Sequence, residues 1–252
     1  MASRDEIVSY LNQRLNTNAI SDSSVNGLQV EGACEIRKIA LAADATLQTY
    51  KKAVMSGCQM MITHHGLIWH GIRSVTGREY RHIKYLLDNG LNLYASHLPL
   101  DMHPELGNNI TLGKMLNLSE IVPFGEYHGN KIGISGKLPS PATCSEIAAI
   151  LKRETGVKNP ICLTFGNERV KSVAVISGGG ASGLTEAIKE NMDLFITGEG
   201  SHQAYHLAQE ASINVLFIGH YYSETCGVKM VGEDLKRKFK VETVFIDEPT
   251  VF

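Results

Sequence analysis

Four histidines in this chain stand at the ends of apolar runs. The pair His64-His65 closes Met60–Thr63, His97 closes Leu91–Ser96, and His220 follows the run beginning at Asn214. Four residues beyond His97 and His220 come carboxylates, Asp101 and Glu224. Apolar runs of this length read as buried strands, and in open α/β sheets ligand sites form beyond the carboxyl ends of the strands. Imidazoles combined with carboxylates are the ligand set of borderline divalent ions such as zinc, manganese, iron or nickel. A carboxylate can bridge two ions, which makes Asp101 and Glu224 candidates to span a dinuclear centre. Ions about 3.5–4 Å apart can activate water and clamp a phosphoryl or carbonyl oxygen. Consecutive side chains on a strand point to opposite faces, so His64 and His65 need a turn to share one cluster, which Gly66 permits. A lone strand histidine is ordinarily hydrogen-bonded core; three histidines with two carboxylates favour ligation.

Other residues carry weaker signals. His70 and His82 lie off this rim and read as surface or loop residues. His202 and His206 are spaced i, i+4 on a helix opening at Gly200-Ser201, but they lack the glutamate of an H-E-x-x-H motif and read as exposed. The run Ser177–Gly180 lies between a strand and a helix. It could cradle a phosphate, yet it has no Walker lysine, and a tight turn is the simpler reading. Glu199 could border the metal cavity as an acid/base group.

The elements that must position these residues alternate. Helical spacing runs over Arg4–Leu15, Leu47–Gly57 and Glu79–Asn89; short strands run over Ile36–Ala43, Met60–Thr63 and Leu91–Ser96. Strand–helix–strand alternation predicts an α/β fold with parallel sheets and crossover helices. The theme recurs. Aligning Ile39 with Val173 sets IALAAD on VAVISG and MMITHHG on LFITGEG, and puts Glu199 in the place of His65. Self-similarity at a fixed offset is the sign of an internal duplication. Two related α/β lobes follow, with the metal site expected between them at strand C-terminal ends. The Gly- and Pro-rich stretch Pro123–Pro141 reads as a domain crossing, giving a first lobe of residues 1–125 plus 220–252 and a second of 126–219.

Composition bounds the function. The chain has 252 residues, 43% apolar and 20% charged, with a net charge of −2, so it can bury a sizeable core but lacks the basic excess of a nucleic-acid binder. Arg73, Arg78, Arg81 and Lys84 form at most a local basic patch, read as a solvated face. No apolar h-region opens the chain and no run approaches a membrane span. Five scattered cysteines without a C-x-x-C pair argue against a disulfide framework or thiolate zinc cluster. The location expected from these features is the cytoplasm.

The motifs SVNGLQVEG (Ser24–Gly32), ITHHG (Ile62–Gly66), SHLPLDMHPELGNN (Ser96–Asn109), SGGG (Ser177–Gly180), ITGE (Ile196–Glu199) and GHYYSE (Gly219–Glu224) together resemble the Nif-three-like family, also called GTP cyclohydrolase 1 type 2 homologues, in its short bacterial form. The resemblance implies two divalent metal ions per chain held by His64, His65, Asp101, His220 and Glu224. It sets His97 behind them as an orienting residue, with Glu199 and Asn108 lining the same cavity. It further implies a ring-shaped homohexamer and, from the family name, hydrolytic opening of the GTP ring system. A fold and a metal site do not fix a substrate. A nucleotide-like small molecule is one reading; a phosphoesterase or amidohydrolase on other substrates is a rival. A non-enzymatic metal-binding ring that holds a partner is another, with nucleic acid as that partner unsupported by the charge.

Overall fold

The computed structural model describes every residue except Ala19, Arg73 and Phe252. Arg73 of the basic patch therefore lies outside the described residues. In chain order the elements are β1 (Ala2–Ser3), α1 (Arg4–Leu15), β2 (Gly27–Val30), β3 (Glu35–Ile36), β4 (Lys38–Asp44), α2 (Leu47–Met55), β5 (Met60–His65), α3 (Gly77–Asp88), β6 (Asn92–Ala95), α4 (Leu98–Asp101) and α5 (Asn108–Met115). There follow β7 (Ser119–Tyr127), β8 (Asn130–Ala142), α6 (Cys144–Thr155), β9 (Ile161–Thr164), β10 (Val170–Ile176), α7 (Leu184–Lys189), β11 (Leu194–Thr197), α8 (His202–Ala211), β12 (Asn214–Phe217), α9 (His220–Phe239) and β13 (Glu242–Phe245). Two compact units result: Met1–Leu100 with Gly227–Glu248, and Asp101–Cys226 with Pro249–Phe252. No helix among the described residues is long and apolar enough to cross a membrane.

The first unit is built on a five-stranded sheet ordered β13-β4-β5-β6-β2, in which only β2 runs antiparallel to its neighbour. Strands of a parallel sheet are covered on both faces and read as continuous apolar runs, which is what Ile39–Ala43 and Met60–Ile62 are. Helix α1 buries Ile7, Leu11 and Leu15 along one stripe. Helix α2 opens on a capping box between Thr46 and Thr49 and closes on Gly57 at φ 73°, with the Cys58 N–H reaching back to the Ala53 carbonyl. His82 departs from expectation. It is 5% exposed, packed edge-on against Tyr50 at 5.5 Å, because α3 turns this face inward. His70, at φ 56°, is exposed as expected.

The second unit carries a six-stranded sheet ordered β7-β8-β10-β11-β12-β9. The stretch Pro123–Pro141 is not a linker; it forms most of the hairpin β7–β8. Tyr127 pairs with Asn130 across a two-residue turn in which His128 (φ 49°) and Gly129 (φ 78°) are both left-handed, the geometry that matches strand twist. Pro123 is tolerated because β7 is the edge strand. Glycines and prolines that suggest a crossing serve a turn and an edge instead. Helix α5 packs on β8, β10 and α6, which draws residues 101–125 into this unit, and the far boundary falls inside α9 between Cys226 and Gly227 rather than at residue 220.

The duplication is visible in the registers. In the first unit Ile39 pairs with Met60 and Ala42 with Thr63; in the second, Val173 pairs with Leu194 and Ile176 with Thr197, each residue 134 positions on. Each sheet also carries an antiparallel edge strand beside its third parallel strand, Leu28 opposite Tyr94 in the first unit and Cys162 opposite Leu216 in the second. A one-residue slip would reverse every side chain, so matched registers mean matched faces. Each unit has its own core, Tyr50, Met61, Leu86 and Leu93 in the first and Ile147, Val173, Ile196 and Leu216 in the second.

Candidate metal-binding site

In the first unit, the buried strand β5 ends in His64 and His65, and His97 follows β6. The three rings converge, with centroids 4.7 Å apart for His64–His65, 5.1 Å for His64–His97 and 5.6 Å for His65–His97. One ring nitrogen from each lies within 4.8 Å of the others, a spacing that suits a shared ion. Each Nδ1 faces an oxygen acceptor: His64 the Ser96 carbonyl at 3.1 Å, His65 the Asp44 carboxylate at 2.9 Å, His97 the Asp22 carboxylate at 2.9 Å. Nδ1–H therefore donates in all three, and Nε2 is the lone-pair nitrogen, the tautomer a metal ligand requires. Gly66 gives the chain its room here: a Cβ would meet Gln29 Nε2 at 2.3 Å and the Ala95 Cβ at 2.7 Å. The Trp69 indole, anchored by Nε1 donating to the Gly66 carbonyl at 2.9 Å, stands edge-on to His97.

Asp22 and Asp44 carry no signal in the sequence reading. Asp22 is the more constrained: besides His97, it accepts from the Ser24 and Leu98 N–H groups and from Asn26 Nδ2. Burial on its own would raise its pKa; the hydrogen bonds from His97 and Asn26 overcome this and hold it at about 2. It is an ionised clamp on His97.

In the second unit, Asp101 ends α4 and is buried. Its Oδ1 accepts from Asn108 Nδ2 and from Ser177 Oγ, both at 2.8 Å, and Asn109 Nδ2 donates to its carbonyl. His220 and Glu224 share the first turn of α9 at i, i+4, with Nε2 and Oε2 3.0 Å apart. On the far side of the ring, Glu199 Oε1 lies 3.4 Å from Nδ1. Glu199 thus faces the His220 ring. The Glu224 hydrogen bond, helped by the charges of Glu224 and Glu199 and opposed by burial, pushes His220 up to about 9.

The glycine run explains itself at Gly178. Its φ is 61°, and a Cβ there would sit 2.0 Å from Glu224 Oε1 and 3.2 Å from His220 Nε2. The Gly178 carbonyl accepts from the N–H groups of Gly198 and Glu199, while its own N–H donates to Ser223 Oγ and that of Ser177 to Asn109 Oδ1. At Ser177 and Gly178 the run is a tight turn, its N–H groups engaged internally, that seats Glu224 and His220. His202 and His206 are exposed on α8, their rings edge-on at 5.4 Å.

Fold and residues together define a class: a duplicated α/β protein presenting histidines and buried carboxylates at its strand ends, a donor set fitting divalent ions. The chain belongs to the Duf34/NIF3 (NGG1p interacting factor 3) family, whose model matches residues 2–250. It is 49% identical over 247 residues to a GTP cyclohydrolase 1 type 2 homolog of Pyrococcus horikoshii, covering 98% of each chain. To the homolog of Deinococcus radiodurans it is 38% identical, covering 98% of this chain and 94% of the relative. Among solved structures, a Thermus thermophilus protein superimposes with a TM-score of 0.89 at 37% identity over all of both chains. Reduced HcgD from Methanocaldococcus jannaschii does so with a TM-score of 0.85 at 28% identity, over 98% of each.

Proposed function

We propose that His64, His65, Asp101, His220 and Glu224 bind two divalent ions and that the chain is a metal-dependent hydrolase of a nucleotide-like substrate. The observation that carries this reading is the pair of Nδ1 contacts on His64 and His65, which leaves Nε2 of each as its lone-pair nitrogen on rings whose centroids lie 4.7 Å apart. The buried Asp101 and Glu224 supply the negative charge that offsets dications. Bound ions would supply Lewis-acid polarisation and lower the pKa of water toward neutrality. Around them, Asp22, Asp44 and the Ser96 carbonyl fix the imidazole tautomers, and Asn108 and Ser177 hold the Asp101 carboxylate. Glu199, on the exposed side of His220, is placed to hold or pass a proton at Nδ1. The names of the relatives, GTP cyclohydrolase 1 type 2 homologs, support a nucleotide substrate. A ring-shaped hexamer in the cytoplasm belongs to the same proposal, its assembly read by light scattering.

A hydrolysis screen over nucleoside triphosphates and monophosphates with added Mn, Zn, Fe or Ni tests the activity. Metal-dependent turnover, abolished in Glu224→Ala, supports it. Metal uptake without turnover on any nucleotide would contradict the hydrolase and favour a metal-holding scaffold.

A further inference from the structure

The cysteines share no sequence motif, yet the fold of the second unit brings two of them face to face. Cys144 is the first residue of α6, and Cys162 lies in β9. Cys144 sits within the apolar cluster that includes Ile147, Ala148 and Leu151, and Cys162 packs against it. There the two thiols hydrogen-bond to one another. Facing thiols can be joined covalently, which facing methyl groups cannot.

The two are not equivalent. Cys144 is 3% exposed, whereas Cys162 is half-buried on β9, an edge strand of the six-stranded sheet. A charged sulfur is costlier at the deeper position, so Cys144 keeps its proton and its S–H donates to Cys162. That bond, helped by burial, pushes the Cys144 thiol up; the same bond draws the Cys162 thiol down, against burial. The thiolate is the nucleophile, which makes Cys162 the reactive partner and Cys144 the one placed to resolve. Cys58, pushed up to about 11 by burial, is of the inert kind.

We propose that Cys144 and Cys162 form an oxidative modification site, converted by hydrogen peroxide to a disulfide that ties β9 to α6. The Cys162 thiolate attacks one peroxide oxygen: an S–O bond forms, the O–O bond breaks, and the departing hydroxide takes the Cys144 proton to become water. The Cys144 thiolate then attacks the Cys162 sulfur: the S–S bond forms, the S–O bond breaks, and the second hydroxide takes up the proton that Cys162 gave on ionising. Two electrons pass from the sulfurs to the peroxide, which ends as two waters. A disulfide holds its sulfurs about 2.05 Å apart. The thiols must close from hydrogen-bond contact, a movement open to an edge strand bonded to the sheet on one side only. Side chains alternate along a strand, so Leu163 packs on the opposite face from Cys162, and with Ile161 it lines a cavity of about 760 Å³. The cross-link therefore anchors the strand that carries this wall.

Exposure of the reduced, intact protein to hydrogen peroxide, followed by alkylation, trypsin and mass spectrometry, tests the site. The expected product joins peptides 138–152 and 159–169, is lighter by two hydrogen atoms than their sum, and is split again by dithiothreitol. Cys144→Ser leaves Cys162 as a sulfenic acid that dimedone captures. Cys162→Ser leaves Cys144 unoxidised at the same dose. Amide exchange within residues 159–169 slows several-fold on oxidation, because the edge strand is tied down. Absence of the joined peptides from oxidised wild type, or a sulfenic acid that persists at Cys162 while Cys144 is present, overturns the site. Dimedone capture at Cys144 in Cys162→Ser overturns the order of attack, and unchanged exchange in a cross-linked protein overturns the anchoring of β9. The wild-type map decides even if a variant misfolds.

Discussion

The Asp22 carboxylate accepts a hydrogen bond from Nδ1 of His97 at 2.9 Å, across 75 residues of chain. It is also the anchor for the Ser24 and Leu98 N–H groups, so one buried charge ties the loop before β2 to the turn after β6. Removing it leaves several donors unmet. Asp22→Ala is expected to cost on the order of 3 kcal/mol by urea denaturation. Its pKa is held at about 2, below the unfolded carboxylate value, so its stabilisation is full above about pH 4 and is lost as pH falls through about 2. The wild type should lose this increment in that window, and Asp22→Asn should show no such loss.

His82 runs the other way. Burial lowers its pKa, and Nδ1 has no hydrogen-bond partner among the described residues. The unfolded chain therefore takes up the proton first, and stability falls as pH drops below about 6.5. His82→Leu, similar in volume and apolar, should match or exceed the wild-type midpoint at pH 5, measured by thermal denaturation. A variant markedly less stable at pH 5 would contradict the burial argument.

Gly178→Ala separates binding from folding. The left-handed φ costs a side chain about 1–2 kcal/mol, while the clash with Glu224 Oε1 displaces a proposed ligand. The expected variant is folded by circular dichroism yet depleted in metal; retention of wild-type metal content would contradict the seating role.

Loading should release protons. With His220 raised to about 9 by Glu224 and Glu199, a metal ion competes with the proton on this ring below that pH. Affinity from this group should rise about tenfold per pH unit from 7 to 8, in titrations with Mn or Zn. The metal-free protein should behave oppositely: the stabilisation from His220 is full below about pH 6.5 and is lost as pH rises through about 9.

Much of this fold was legible in the chain because parallel strands are covered on both faces. Met60–Thr63 and Leu194–Thr197 stand out as continuous apolar runs, and the polar residues that end them mark the rim. The offset between Ile39 and Val173 was readable because register conserves face. What escaped depends on distant chain. Asp22 and Asp44 meet their histidines through tertiary contacts, and nothing near either residue signals a partner. Pro123–Pro141 misled because composition reports turns and edges without saying whether strands lie between them. His82 was misplaced because one helix face can be buried by a neighbour the local pattern does not name.

The most direct test is the metal content of the purified, reconstituted protein by elemental analysis, alongside Asp101→Ala and His65→Ala. The account predicts about two ions per wild-type chain, loss of both in Asp101→Ala if that carboxylate bridges, and loss of mainly one in His65→Ala. Equal metal in Asp101→Ala and wild type, or none in the wild type after reconstitution, would contradict it.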